Sequence, residues 1–134
     1  MVRNRERAEM LMRKAKNDQV ALEKLAADSN SPDDVTGFHA QQAVEKCLKA
    51  VLALTGVRYP FTHDLQRLLD LMRESNIPVP NEFEDVKRLT HCAALFRYDD
   101  VAVESIALDR PWALDCVRQV RSWAEALLQT QPSS

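Results

Sequence analysis

Four groups of residues carry side chains able to do chemistry. Arg97, Tyr98, Asp99 and Asp100 stand together on a stretch without helical periodicity. A guanidinium beside a phenol suits recognition of a phosphate or a base. The same arginine equally suits a structural ion pair, with Asp18 of an earlier helix as the carboxylate. Gln42, Glu45, Lys46 and Lys49 line one face of a helical pattern. They suit either a nucleotide or partner-helix contact, or an interhelical network with a solvated face. Glu45 and Lys49 also stand in the order that favours an i,i+4 ion pair. Thr62, His63 and Asp64 precede an apolar periodic run, so their side chains can hydrogen-bond exposed backbone N–H groups at a helix start. His63 would then lie near an anion site at that helix end. Last, Arg3, Arg5, Arg7, Arg13, Lys14 and Lys16 outnumber Glu6 and Glu9 in the first sixteen residues. That run is a phosphate-facing patch or a solvated helix face.

Other chemistries lack their residues. His39, His63, His91 and the three cysteines, Cys47, Cys92 and Cys116, show no zinc-ligand spacing. Gly37 and Gly56 stand alone, so there is no glycine-rich phosphate loop. No metal or cofactor is expected. A net charge of −2 argues against a general nucleic-acid binder. The odd cysteine count, within apolar helical patterns, reads as buried thiols in a reducing compartment. The polar start does not read as a signal peptide. No apolar run approaches the roughly 18 residues of a membrane span. A cytoplasmic location without membrane contact is expected.

The elements that must position these residues are helices. A chain of 134 residues, 46% hydrophobic and 28% charged, fits one domain, with a core over about residues 5–129 and a tail at 130–134. Two glycines and six prolines fall mostly at junctions, and no stretch shows sustained β-type alternation. A first helix is predicted over about residues 5–27, on Ala8, Leu11, Met12, Ala15, Leu22, Leu25 and Ala26. Asp18 falls on that stripe, which places it near the bundle surface or in a pair. A second helix is predicted to start with Ser31 as cap and Pro32 in the first turn. It ends near Leu54, with Gly56 as a left-handed cap. Its wide stripe, Ala40, Ala43, Val44, Cys47, Ala50, Val51 and Leu54 with Leu48 and Leu52, makes it the most buried helix. A third follows Thr62, a fourth covers about residues 82–96, and a fifth follows Asp109 as cap, with Pro111 in its first turn. Short connections between amphipathic helices predict an all-α, up-and-down antiparallel bundle of about five helices.

Three segments together resemble the HEPN family. Residues Phe38-His39-Ala40-Gln41-Gln42-Ala43-Val44-Glu45-Lys46-Cys47-Leu48-Lys49-Ala50 are similar to its Gln-Ala-x-Glu-Lys-x-x-Lys-Ala signature. Tyr59-Pro60-Phe61-Thr62-His63-Asp64-Leu65 resembles its Thr-His-Asp-Leu turn. Phe96-Arg97-Tyr98-Asp99 resembles its Arg-Tyr-Pro-Asp segment, without the proline. The resemblance implies a helical bundle, often a homodimer, commonly encoded or fused with a minimal nucleotidyltransferase. Some members are RNA-cleaving toxins, in toxin–antitoxin-type pairs; others are inactive nucleotide-binding or docking modules.

Cleaving members carry Arg, four to six residues, then His near the start of a late helix. There histidine moves the ribose 2′ proton and arginine stabilises charge on the phosphate. This sequence has no histidine after Arg97, and Arg88 and His91 are only three apart. Arg58 and His63 fit the literal spacing but precede the third helix. The sequence therefore predicts a non-catalytic module that binds a nucleotide or a nucleotidyltransferase partner. Its surface would comprise Arg97, Tyr98, Asp99, Gln42, Glu45, Lys46, Lys49 and His63. The alternatives are a ribonuclease toxin using a displaced pair, Arg58 or Arg97 with His63, and a purely structural adaptor.

Overall fold

A computed structural model of the chain describes residues 2–96 and 107–130. Among these are five helices and no strand: α1 (Val2–Ala27), α2 (Asp33–Leu54), α3 (Leu65–Glu74), a 3₁₀ helix (Asn81–Phe96) and α4 (Arg110–Thr130). The expected all-helical bundle is thus observed. α2 packs against all four other helices. α1 runs antiparallel to α2, with Arg7 against Tyr59 just past the end of α2 and Asp18 against Lys46. It also runs antiparallel to α4, since Arg5 reaches Leu128 and Leu25 meets Arg110.

The core follows the apolar stripes. Ala8, Ala15 and Leu22 of α1, Ala40, Val44, Leu48 and Val51 of α2, and Val120 and Ala124 of α4 are all fully buried. The short helices add Leu65, Leu68, Leu69 and Met72, then Phe83, Val86 and Leu89. The fourth element is a 3₁₀ helix where an α-helix was expected, and its inward residues fit the tighter winding. A 3₁₀ helix has three residues per turn, so positions three apart eclipse. Phe83, Val86 and Leu89 are three apart, and all three point inward.

Helix ends are set locally, not always as expected. Pro32, in an extended conformation, is the N-cap of α2 and gives no side-chain bond. Ser31 does not cap α2; its hydroxyl donates back to the Leu25 and Asp28 carbonyls at the end of α1. The cap of α3 is Asp64, not Thr62. Its carboxylate accepts from the Gln66 N–H (3.0 Å), while Thr62 accepts from the Asp64 N–H (3.0 Å). Asp109 caps α4 as expected, accepting from the Trp112 N–H at 3.1 Å.

α2 and α3 end in the same motif. After α2, Gly56 (φ 75°) donates to Ala53 and Val57 donates to Leu52. After α3, Asn76 (φ 61°) donates to Arg73 and Ile77 to Met72. Both are Schellman ends needing a left-handed residue. Gly56→Ala is expected to cost about 1–2 kcal/mol, the left-handed penalty of a Cβ. Asn76→Gly should be neutral or mildly stabilising. Urea unfolding of the two variants checks this; equal effects would contradict it.

Candidate functional site

The polar face of α2 is an internal network, not a solvated surface. Gln41, Gln42, Glu45 and Lys49 are all buried. Glu45 is its centre. Its carboxylate accepts from Gln41 Nε2 (2.9 Å), Lys49 Nζ (3.0 Å) and, more distantly, Gln42 Nε2 (3.5 Å). His63 Nδ1 lies 2.8 Å from the same carboxylate. Gln41 also donates to the His63 carbonyl (2.9 Å) and accepts from Gln42 (2.7 Å). No buried side-chain polar atom among the described residues lacks a partner. Such complete pairing is what makes buried charge tolerable.

This network fixes His63. A carboxylate accepts hydrogen bonds, so Nδ1 carries the hydrogen and Nε2 bears the lone pair in the neutral ring. The imidazole side chain is 32% exposed, against 5% for Glu45. His63 is therefore the point at which a buried polar network reaches the surface. It does not sit at an open anion site on α3, as expected from sequence. The first N–H groups of α3 are already taken, Leu65 by the Thr90 hydroxyl (3.1 Å) and Gln66 by Asp64.

Around His63 the connection after α2 arranges rings and cations. Lys49 Nζ lies 5.7 Å from the centroid of Tyr59 and 5.9 Å from that of Phe61. Arg7 sits 5.7 Å from the Tyr59 ring and donates to its hydroxyl at 3.2 Å. Phe61 meets His63 edge-on at 6.0 Å. Phe61 is 97% exposed. Arg58 is exposed on the same connection, while His63 turns inward to Glu45.

The remaining predicted residues separate. Lys46 and His39 both bind Asp18, His39 through Nδ1 at 3.0 Å. Asp18, anomalous on an apolar stripe, is thereby paired across the α1–α2 seam. It takes Lys46 and His39 as partners; Arg97, with Tyr98 and Asp99, lies outside the described residues. The basic run on α1 divides. Arg5 fastens the Leu128 carbonyl (2.8 Å), Arg7 joins the ring cluster, and Arg3, Arg13, Lys14 and Lys16 are exposed.

Thiol chemistry is disfavoured. All three cysteines are free, and burial pushes Cys47 up to about 12 and Cys116 up to about 11. At neutral pH these are neutral thiols, poor nucleophiles. Two shallow open grooves lie elsewhere. One is lined by Arg5, Met12, Glu125 and Leu128 between α1 and α4, the other by Phe83, Arg118 and Trp123. Neither touches the Glu45 network, where the polar chemistry is concentrated. No helix among the described residues is long and apolar enough to cross a membrane.

Tyr59, Phe61, Arg7 and Arg110 carried no individual role from sequence. Phe61 had a signal: a large apolar ring between Pro60 and Thr62, outside every helical stripe. Among known proteins, the family model described as HEPN domain matches residues 8–128. No curated protein and no solved structure matches.

Proposed function

Because the chain belongs to the HEPN domain family, we propose that it is a non-catalytic member that binds a nucleotide at the surface around His63. The observation carrying this reading is the Glu45–His63 contact at 2.8 Å, which holds an accessible imidazole rigidly beside Lys49. A preorganised polar group at the rim of a satisfied network binds without first paying to order itself. Arg7 and Arg58, both exposed, supply positive charge for phosphate groups. Gln42, Glu45 and Lys49 act mainly from below, by positioning His63 and the loop. Lys46 belongs to the Asp18 seam. Arg97, Tyr98 and Asp99, outside the described residues, are included in the proposed binding set on the sequence resemblance. A minimal nucleotidyltransferase is the proposed protein partner, in a toxin–antitoxin-type pair, and a second copy of the chain the proposed dimer mate.

The missing late histidine supports the non-catalytic part. The test is an ATP titration of the labelled protein followed by NMR. Shifts should concentrate at His63, Lys49 and the 57–63 connection. An unchanged spectrum at millimolar ATP would remove the reading.

One observation favours a ribonuclease instead. A carboxylate on Nδ1 sets the tautomer a general base needs. That reading requires RNA cleavage that disappears in His63→Ala.

A further inference from the structure

We infer that Phe61 is the stacking platform for the base of the bound nucleotide, and that the site prefers purines to pyrimidines. This rests on the nucleotide-binding reading above and adds the part of the ligand recognised and the residue recognising it.

Single exposed apolar side chains are ordinary on protein surfaces. Phe61 differs in its surroundings. At 97% exposure its ring forgoes nearly all the gain of burial. Yet the connection carrying it is fixed at both ends. Val57 donates to Leu52 at the end of α2 (2.9 Å), and Asp64 caps α3. The neighbouring ring, Tyr59, is half-buried and lies near both Arg7 and Lys49. The order Arg7, Tyr59, Lys49, Phe61 therefore alternates cations with rings and ends on an exposed, uncharged aromatic surface, with His63 edge-on beside it.

That alternation is the chemistry of a flat π-system carrying negative charge. Nucleobases stack on aromatic side chains whatever their hydrogen-bonding edges, while phosphates seek neighbouring cations. Among the described residues Glu45 is the carboxylate of the network, shared by Lys49 and His63. Arg7 is bonded to a neutral phenol, and Arg58 is exposed. The other nearby carboxylate, Asp64, is engaged at the start of α3. Arg7 and Lys49 thus bring cationic groups up to the rings beside the platform. A purine covers more of a phenylalanine ring than a pyrimidine does, which sets the direction of the preference.

The experiment is calorimetric titration of the wild type and Phe61→Leu with AMP, UMP and ribose 5-phosphate. Circular dichroism confirms folding, which so exposed a side chain should not control. AMP should bind wild type several-fold more tightly than UMP. Phe61→Leu should weaken AMP roughly tenfold or more and leave ribose 5-phosphate unchanged. AMP binding that is unaltered by Phe61→Leu, or equal for AMP and UMP, would overturn the stacking inference and leave nucleotide binding standing. No binding of AMP to the wild type would overturn both.

Discussion

Glu45→Ala is expected to destabilise the protein by about 3–5 kcal/mol, the range for removing one partner from a buried charge pair. The loss exceeds that of a typical surface ion pair because of what remains behind. Lys49 is left as a buried cation without its 3.0 Å acceptor, and the Gln41 amide loses one of its two acceptors. His63 loses the 2.8 Å contact that orients its ring. Glu45→Gln should cost less, since one oxygen still accepts while the charge is lost. Urea unfolding gives the comparison, with Lys46→Ala as the control. Lys46 is more exposed than Lys49 and pairs with Asp18 outside this network. A Glu45→Ala cost below that of Lys46→Ala would show that the network does not hold this part of the fold.

Arg110→Ala is the second large effect, expected at about 2–4 kcal/mol from several charge-assisted hydrogen bonds. Its guanidinium, at the first position of α4, donates to the carbonyls of Leu25 and Asp28 (both 2.9 Å) and Ser31 (2.7 Å). It also reaches the Asp33 carboxylate at 3.0 and 3.2 Å. One side chain therefore satisfies the carbonyl end of α1, fixes the turn after it, and joins the start of α2 to α4. Arg110→Lys should rescue little, because an ammonium cannot reproduce the planar fork.

The Asp33 carboxyl gives this junction a pH signature. The Leu108 N–H and then the Arg110 guanidinium hold it below its ordinary value of 3.8. A depressed folded pKa means the contribution is complete above the ordinary value and is lost as pH falls through the folded one. Wild-type stability should therefore drop below about pH 4 partly through Asp33, and Asp33→Asn should flatten that part of the profile. An unchanged acid limb in thermal melts would contradict the assignment.

How much of this was legible follows from the range of each signal. The α2 stripe, the Gly56 end and the Asp109 cap are written within a few residues of where they act, and all appear as read. Ser31 and Thr62 misled because a hydroxyl near a helix start has several backbone partners, and sequence does not say which is nearer. The 3₁₀ form was not legible, because Phe83, Val86 and Leu89, three apart, fit one face of either helix, and Ala93, four beyond Leu89, read as α-helical. The network was half legible. Glu45 and Lys49 are four apart on one helix, but His63 comes from another element, and only that contact marks the site. Asp18 announced a partner; the sequence offered Arg97, outside the described residues, whereas Lys46 and His39 are the partners seen. Arg110 was not legible at all, since its carbonyl acceptors lie some eighty residues away and carry no side-chain signature. Phe61 could be seen as an aromatic without a stripe, but its cationic neighbours come from α1 and α2.

The central claim, a binding module in place of a nuclease, is tested most directly by RNA cleavage with purified protein, beside His63→Ala and Arg97→Ala. No cleavage above background is expected at high protein concentration in any of the three. Cleavage by the wild type that is abolished by His63→Ala, with helicity retained, would contradict it and make the Glu45–His63 pair a catalytic dyad.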